Sequence, residues 1–416
     1  MFLYFFFIRI AALFGHKKAR ALVRGQRATI SNLKSEISNL KSPVWFHAAS
    51  VGEFEQARPL IERLRREQPQ RQIVVTFFSS SGYEARKNYP LADGIYYLPF
   101  ATRRRARRFI AALQPSMAIF VKYEFWPAYI RELKKQNIPT YSISSIFRPH
   151  QYFFRWYGKS QLRVLRAFTH LFVQDEASRE LLAKHGITQV SVAGDTRFDR
   201  VNEILMANSQ KPTADLRPIA NFVQGADRVI VAGSTWPEDE KLLEKYLNHQ
   251  STKLILVPHE LDEKHLHFIF NLFKGRIIRY SAHASSMLMP AVQEKSEERF
   301  EPQVLLVDTM GLLSSVYRFA HTAYIGGGFG EGIHNTIEAA TYGIPVVFGP
   351  NYHQFREAQG LIDAGAARSI ANYSQLEAAL NTALDNYTEI GPKASAYVTS
   401  ELGATDKIYQ DLFNRK

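Results

Sequence analysis

Residues 323–350, AYIGGGFGEGIHNTIEAATYGIPVVFGP, read as a strand, a glycine loop, a helix and a second strand packed into one short unit. The apolar run 323–325 is a strand, and Gly326, Gly327, Gly328, Gly330 and Gly332 let the chain turn sharply and approach a ligand closely. The pattern predicts a helix from about His334 to Gly343, with Asn335 and Glu338 on one face, followed by a buried strand over 344–348. Unpaired N–H groups at such a helix start suit a phosphate. Neither the Rossmann glycine spacing nor a Walker lysine is present, and an ordinary βαβ turn carries similar glycines. The late position of the unit favours a second α/β domain that holds a nucleotide.

Working outward, the same alternation of apolar runs and helical patterns fills the chain. VWFHAAS, QIVVTFFSS, SMAIFVKYE, TYSISSIF and HLFVQ precede residue 200; RVIVAGST, KLILVPHE, IIRYSA and VLLVDTMG follow it. Parallel sheets covered by helices have this signature. With 416 residues the chain exceeds one ordinary core. The expected fold is therefore α/β, with two Rossmann-like domains facing across a cleft. The polar stretch 202–217 contains the expected boundary, giving domains over 43–205 and 206–400.

The formal charge of +13 is unevenly spread: residues 1–200 hold 33 Lys and Arg against 14 Asp and Glu, and residues 201–416 hold 19 against 25. The basic first half, with Arg103, Arg104, Arg105, Arg107 and Arg108 clustered, favours anionic lipid or a phosphorylated substrate. A solvated basic surface is the plainer reading, and nucleic acid lacks any recognisable recognition module here. Residues 2–14 are apolar except for Arg9 and are followed by Lys17, Lys18, Arg20, Arg24 and Arg27. About 20 apolar residues are needed to cross a bilayer, so this segment suits a retained anchor on an anionic leaflet. A signal peptide carries its charge ahead of the apolar run, not behind it. The near-repeat at 31–42 reads as a short helical linker, so 1–42 form an anchor with its connection. The absence of cysteine excludes disulfides and Cys-ligated metal.

Polar residues gather where strands end. His47-Ala-Ala-Ser50-Val-Gly52-Glu53 places Ser50 as a cap, Gly52 as a turn and Glu53 in the first turn of a helix. A carboxylate there complements the helix dipole, and in a partly desolvated site it also serves as a general base. Lys122 and Glu124 end a later strand, either as an ion pair or as substrate contacts, and Arg148 is placed to bind a phosphate. In the second half, Ser234 with Thr235, Pro258 with His259, and Met310 with Gly311 follow strands. No D-x-D pair follows a strand and no histidines cluster at ligand spacing, which argues against a catalytic metal.

With these residues in place, the chain resembles the 3-deoxy-D-manno-octulosonic acid (Kdo) transferases, lipid A glycosyltransferases of Gram-negative envelopes. The resemblance rests on HAASVGE, YEFWP, the GST block, DTMG and GG…HN..E, in that order along nearly the whole chain. It implies a GT-B fold, with an acceptor-binding N-terminal domain, a CMP-sugar-binding C-terminal domain and a terminal helix, 401–416, returning to the first. It implies CMP-Kdo as donor, a phosphorylated and acylated glucosamine disaccharide as acceptor, no cofactor, and a site at the cytoplasmic face of the inner membrane. Glu53 matches the catalytic base; Ser234, Met310, Gly311, Gly327, His334, Asn335 and Glu338 match or lie within the donor motifs, beside Thr235, Pro258, His259 and Gly328. Ser50, Gly52, Lys122, Glu124 and Arg148 fall on the acceptor side. The family often has Glu-Thr-Glu where Lys122-Tyr123-Glu124 stands and Pro-Arg-His where Pro258-His259-Glu260 stands, departures that bear on acceptor details. Rival readings are another GT-B enzyme with a lipid-linked acceptor, a UDP-sugar epimerase, and a noncatalytic protein that binds anionic lipid.

Overall fold

The computed structural model describes residues 2–33, 35–210, 215–247, 252–282 and 302–414. The chain divides into two units, one formed by Met1–Arg200 with Glu401–Lys416 and the other by Val201–Ser400. In the first unit, β1 (Val44–Ala48), β2 (Ile73–Phe77), β3 (Gly94–Tyr97), β4 (Met117–Val121), β5 (Thr140–Ser145), β6 (His170–Val173) and β7 (Val190–Val192) form a parallel sheet ordered β3-β2-β1-β4-β5-β6-β7. In the second, β8 (Val229–Thr235), β9 (Lys253–Pro258), β10 (Ile277–Arg279), β11 (Val304–Leu306), β12 (Thr322–Ile325), β13 (Val346–Phe348) and β14 (Ala367–Ser369) pair in parallel, ordered β10-β11-β9-β8-β12-β13-β14. This is the α/β class expected for two Rossmann-like domains.

Three strands carry no readable apolar run: β3, β7 and β14. All three are sheet edges, short and partly exposed, so burial did not select continuous apolar residues there. Central strands are the opposite case. Every residue of β1, β2 and β4 is buried, because helices cover both faces of a parallel sheet. Alternate residues feed the two faces: Trp45, Val74 and Phe120 join one core, and Phe46, Val75 and Ile119 the other. Trp45 anchors its side through edge-on contacts to Phe109 at 5.3 Å and Phe120 at 5.4 Å.

Two helices precede β1: α1 (Phe2–Leu13) and α2 (Lys17–Ser31). Among the described residues no helix is long and apolar enough to cross a membrane. α2 is fastened to the first unit, with Gln26 Nε2 donating to the Leu98 carbonyl at 2.9 Å. Gly25 lies so close to Tyr97 that a Cβ would sit 2.1 Å from its ring. Among the described residues of 32–42 there is no helical linker but a single 3-10 turn, Ile37–Asn39, and Leu33 and Ile37 are drawn into the first unit's core. The terminal helix Ala404–Phe413 also buries Ile408 and Tyr409 in that unit. Asp199 fixes its start by accepting from the N–H groups of Gly403 and Thr405, both at 2.7 Å.

Candidate functional site

Each sheet has a point where successive connections leave in opposite directions: between β1 and β4 in the first, and between β8 and β12 in the second. Open α/β sheets bind ligands beyond the carboxyl ends of strands at such points. Many of the residues singled out from sequence fall at these two places, whereas Arg148 follows β5 and Met310 with Gly311 follow β11, farther along the sheets.

At the first, β1 runs into α3 (Val51–Glu67) through a complete capping box. Ser50 Oγ accepts from the Glu53 N–H at 3.4 Å, and Glu53 Oε2 accepts from the Ser50 N–H at 2.8 Å and its hydroxyl at 3.0 Å. The helix-cap reading is therefore real. It does not exhaust Glu53. Those hydrogen bonds favour the carboxylate, yet burial and then the charge of Glu124 raise its pKa above the ordinary value. Gly52 differs from expectation: it lies inside the first turn of α3 and provides no loop turn. It is exposed, and a Cβ there would meet nothing nearer than Ser50 Oγ at 4.0 Å. Its bare backbone leaves open space beside Ser50 and Glu53.

β4 ends at Val121, so Lys122 and Glu124 lie in the turn that follows it, and Lys122 adopts φ 55°. Glu124 turns to His47 Nε2 at 3.1 Å and accepts from Trp126 Nε1 at 2.5 Å. Across β5 the edge continues with Ser144, also left-handed at φ 53°, whose hydroxyl meets Thr196 Oγ1 at 3.1 Å. Arg148 stands near Tyr123, where it opposes the rise that burial gives the Tyr123 phenol. Its backbone N–H is taken by Gln151 Oε1 at 3.1 Å.

At the second switch point the organising residue is Asp239, which is 1% exposed. Asp239 Oδ2 accepts from the N–H groups of Gly327 at 2.9 Å and Trp236 at 3.0 Å, while Oδ1 accepts from the Tyr324 hydroxyl at 2.7 Å. This carboxylate ties the glycine loop to the start of the helix Pro237–Leu247. Burial pushes its pKa up, against the pull of these donors. Beside it, the rings of Trp236, His259 and His334 stack, with centroids 5.0 Å and then 4.2 Å apart. Burial, and then His259, push the pKa of His334 down to about 4, so its imidazole is neutral and Nε2 accepts from Trp236 Nε1 at 3.2 Å. A pocket of about 520 Å³ opens here, walled by Trp236, Asp239, His259, Gly327, His334 and Phe355 among others.

His259, Gly327 and His334 thus line the pocket, whereas Asp239 and Phe355 do so without having been singled out from sequence. Thr235 lies behind it, donating to buried Glu240 at 2.9 Å. Ser234 forms a bulge at φ 55° between β8 and β9, where Pro258 is the last residue of β9. Gly326 and Gly328 serve close backbone approach: a Cβ on Gly326 would lie 2.3 Å from Ser234 O, and one on Gly328 would lie 2.6 Å from Gly349 Cα. Met310 is 79% exposed after β11, and Gly311 has φ 86°. Asn335 Nδ2 donates to Glu338 at 2.9 Å, but the helix begins at Ile337 and not near His334. The intervening loop bonds to itself, Gly330 and Gly332 donating to the Gly327 carbonyl and His334 to that of Gly326, which delays the helical register. Behind the pocket, His265 Nε2 lies 3.0 Å from both Glu240 oxygens and Nδ1 is 3.0 Å from the Glu260 carbonyl. The Glu240 hydrogen bond raises the His265 pKa against burial. Among the described residues no cluster of three or more His, Asp and Glu is placed to hold a metal.

A family model described as 3-deoxy-D-manno-octulosonic-acid transferase (kdotransferase) matches residues 17–200. The 3-deoxy-D-manno-octulosonic acid transferase of Chlamydia muridarum is 27% identical over 369 residues, covering 85% of this chain and 80% of that protein. Its counterpart in Aquifex aeolicus is 26% identical over 358 residues, covering 83% and 87%. Among solved structures, the UDP-GlcNAc 2-epimerase of Neisseria meningitidis aligns with TM-score 0.62 over 90% of this chain and 100% of that one. At 16% identity this is a likeness of fold alone.

Proposed function

We propose that this chain, which is similar over more than 80% of its length to proteins named 3-deoxy-D-manno-octulosonic acid transferase, is a glycosyltransferase that moves Kdo from CMP-Kdo to a phosphorylated, acylated glucosamine disaccharide, a lipid A precursor of the lipid IVA type. The observation that carries the mechanism is Glu53: a half-buried carboxylate, oriented by Ser50, at the carboxyl end of a central strand, with its pKa raised by burial and Glu124. Glu53 takes the proton of the acceptor's primary hydroxyl as that oxygen attacks the anomeric carbon. The new C–O bond forms on the face opposite the departing phosphate, whose oxygen leaves with the bonding electrons, so configuration inverts. A general base works in its deprotonated form, so a raised pKa moves the acid limb of the rate above the usual carboxylate range.

The donor is assigned to the second unit, in the pocket of Trp236, His259 and His334. Neutral His334 and the aromatic stack supply flat surfaces for a nucleotide, and Asp239 holds the glycine loop in position. No metal is assigned to the departure of CMP, in keeping with a leaving group of one phosphate on a tertiary carbon. Residue placement supports a cytoplasmic-face membrane association through the N-terminal helices. Phe7, Leu13 and Phe14 are 60%, 79% and 88% exposed, and exposed Lys17, Lys18, Arg24 and Arg27 follow. Mass spectrometry of the purified chain with lipid acceptor and freshly generated CMP-Kdo tests the proposal. The acceptor mass rises by whole Kdo residues; an unchanged acceptor with intact CMP-Kdo counts against it.

A further inference from the structure

The chain of hydrogen bonds behind Glu53 fixes where a proton must sit. Thr76 Oγ1 accepts from Trp45 Nε1 at 2.9 Å and directs its own proton toward the Phe46 carbonyl at 3.4 Å. His47 Nδ1 lies 2.9 Å from that hydroxyl oxygen and 3.0 Å from the Thr76 carbonyl. A carbonyl oxygen only accepts, so Nδ1 carries a hydrogen. The other ring nitrogen, Nε2, faces Glu124 Oε2 at 3.1 Å. Were the imidazole neutral and Glu124 ionised, two lone pairs would confront each other where His47 is wholly buried and Glu124 is 13% exposed. Water has no access to His47 to relieve that arrangement.

We propose that His47 and Glu124 share one proton, and that this neutral pair sets the basicity of Glu53. His47 is then a positioning residue that acts through Glu124. The charged groups facing Glu53 come from two other elements: Glu124 from the turn after β4, which raises its pKa, and His47 from β1, which lowers it. Its own helix contributes the Ser50 hydrogen bonds, which favour the charged form. With the shared proton in place, Glu124 does not confront Glu53 as a full negative charge. Glu53 therefore stays ionised to lower pH than it would beside a bare carboxylate.

The proposal rests on Glu53 as the base, and two measurements separate the parts. In the pH–rate profile, Glu124→Gln lowers the midpoint of the acid limb by about one pH unit, and His47→Gln, which strips the compensating proton, raises it by a similar amount. Midpoints that move in the same direction, or stay fixed, overturn the coupling. Nitrogen-15 spectra of His47 in the unaltered full chain at pH 8 do not depend on either variant folding. A protonated Nδ1, with Nε2 showing a shared or attached proton, supports the pair; an unprotonated Nδ1 overturns it. Should Glu53→Gln keep turnover with the acid limb intact, the base assignment fails and the nitrogen spectra still decide the pair.

Discussion

The two sheets share a parallel architecture with switch points at equivalent places, yet their edges are built from opposite materials. Between β1 and β4, ionisable groups are set against one another and one carboxylate faces partly outward. Between β8 and β12, the buried carboxylates Asp239 and Glu240 are engaged as braces, and stacked rings and glycine backbone make up much of the pocket wall. A shared topology therefore leaves chemistry open. On the proposed mechanism, one edge moves a proton and the other holds a ligand still.

The sharpest way to break this contrast is Glu53→Gln, which keeps the cap but removes the base. Turnover falls by about 1,000-fold, within the usual range for a general base, while CMP binding measured by calorimetry is unchanged. Substantial turnover by this variant would make the first edge merely structural. Next in size is Asp239→Asn. Its carboxylate accepts three hydrogen bonds, and an amide keeps its oxygen on the Gly327 and Trp236 N–H groups only by turning its NH2 to the Tyr324 hydroxyl, with the negative charge lost from all three bonds. CMP affinity drops by about 10- to 100-fold, the scale of a lost charge-assisted hydrogen bond; unchanged affinity would show that the loop needs no brace.

The third test uses pH. His265 has a raised pKa in the fold, so its pairing with Glu240 stabilises fully below the unfolded value and fades as pH rises through the folded one. Thermal unfolding of the parent shows that loss on the alkaline side, and His265→Gln flattens it, with about 1 to 3 kcal/mol at stake near pH 6. An unaltered pH dependence refutes the brace. The smallest effect belongs to Gly52→Ala. The exposed helical position gains about 0.5 to 1 kcal/mol of stability, and the acceptor KM rises if the bare backbone serves close approach. A gain in stability with no change in KM would assign the glycine no role at the first edge.

How much of this was legible in the sequence depended on range. Glu53 and Ser50 were readable because a capping box is a four-residue pattern. The glycine loop was readable because only glycine tolerates the packing at Gly326 and Gly328. Asp239 was not, since its partners Tyr324 and Gly327 lie 85 and 88 residues away and no local spacing announces them. The same holds for His47, whose role depends on Thr76 and Glu124. Left-handed Lys122, Ser144 and Ser234 were also hidden, because a residue other than glycine gives no sequence sign of positive φ. Two of them, Ser144 and Ser234, coincide with irregular strand pairing at the carboxyl edges, where a bulge re-aims the chain.

The anchoring of the helix Ala404–Phe413 by Asp199 has a consequence for biogenesis. Ile408 and Tyr409 complete a core whose other members lie before residue 200, so the ribosome must deliver the entire second unit before the first can close. At ordinary elongation rates of about 5 to 20 residues per second, that interval lasts roughly 10 to 40 seconds. Throughout it the nascent first unit exposes the apolar seat of its missing helix, which makes that seat a natural place for a chaperone to wait.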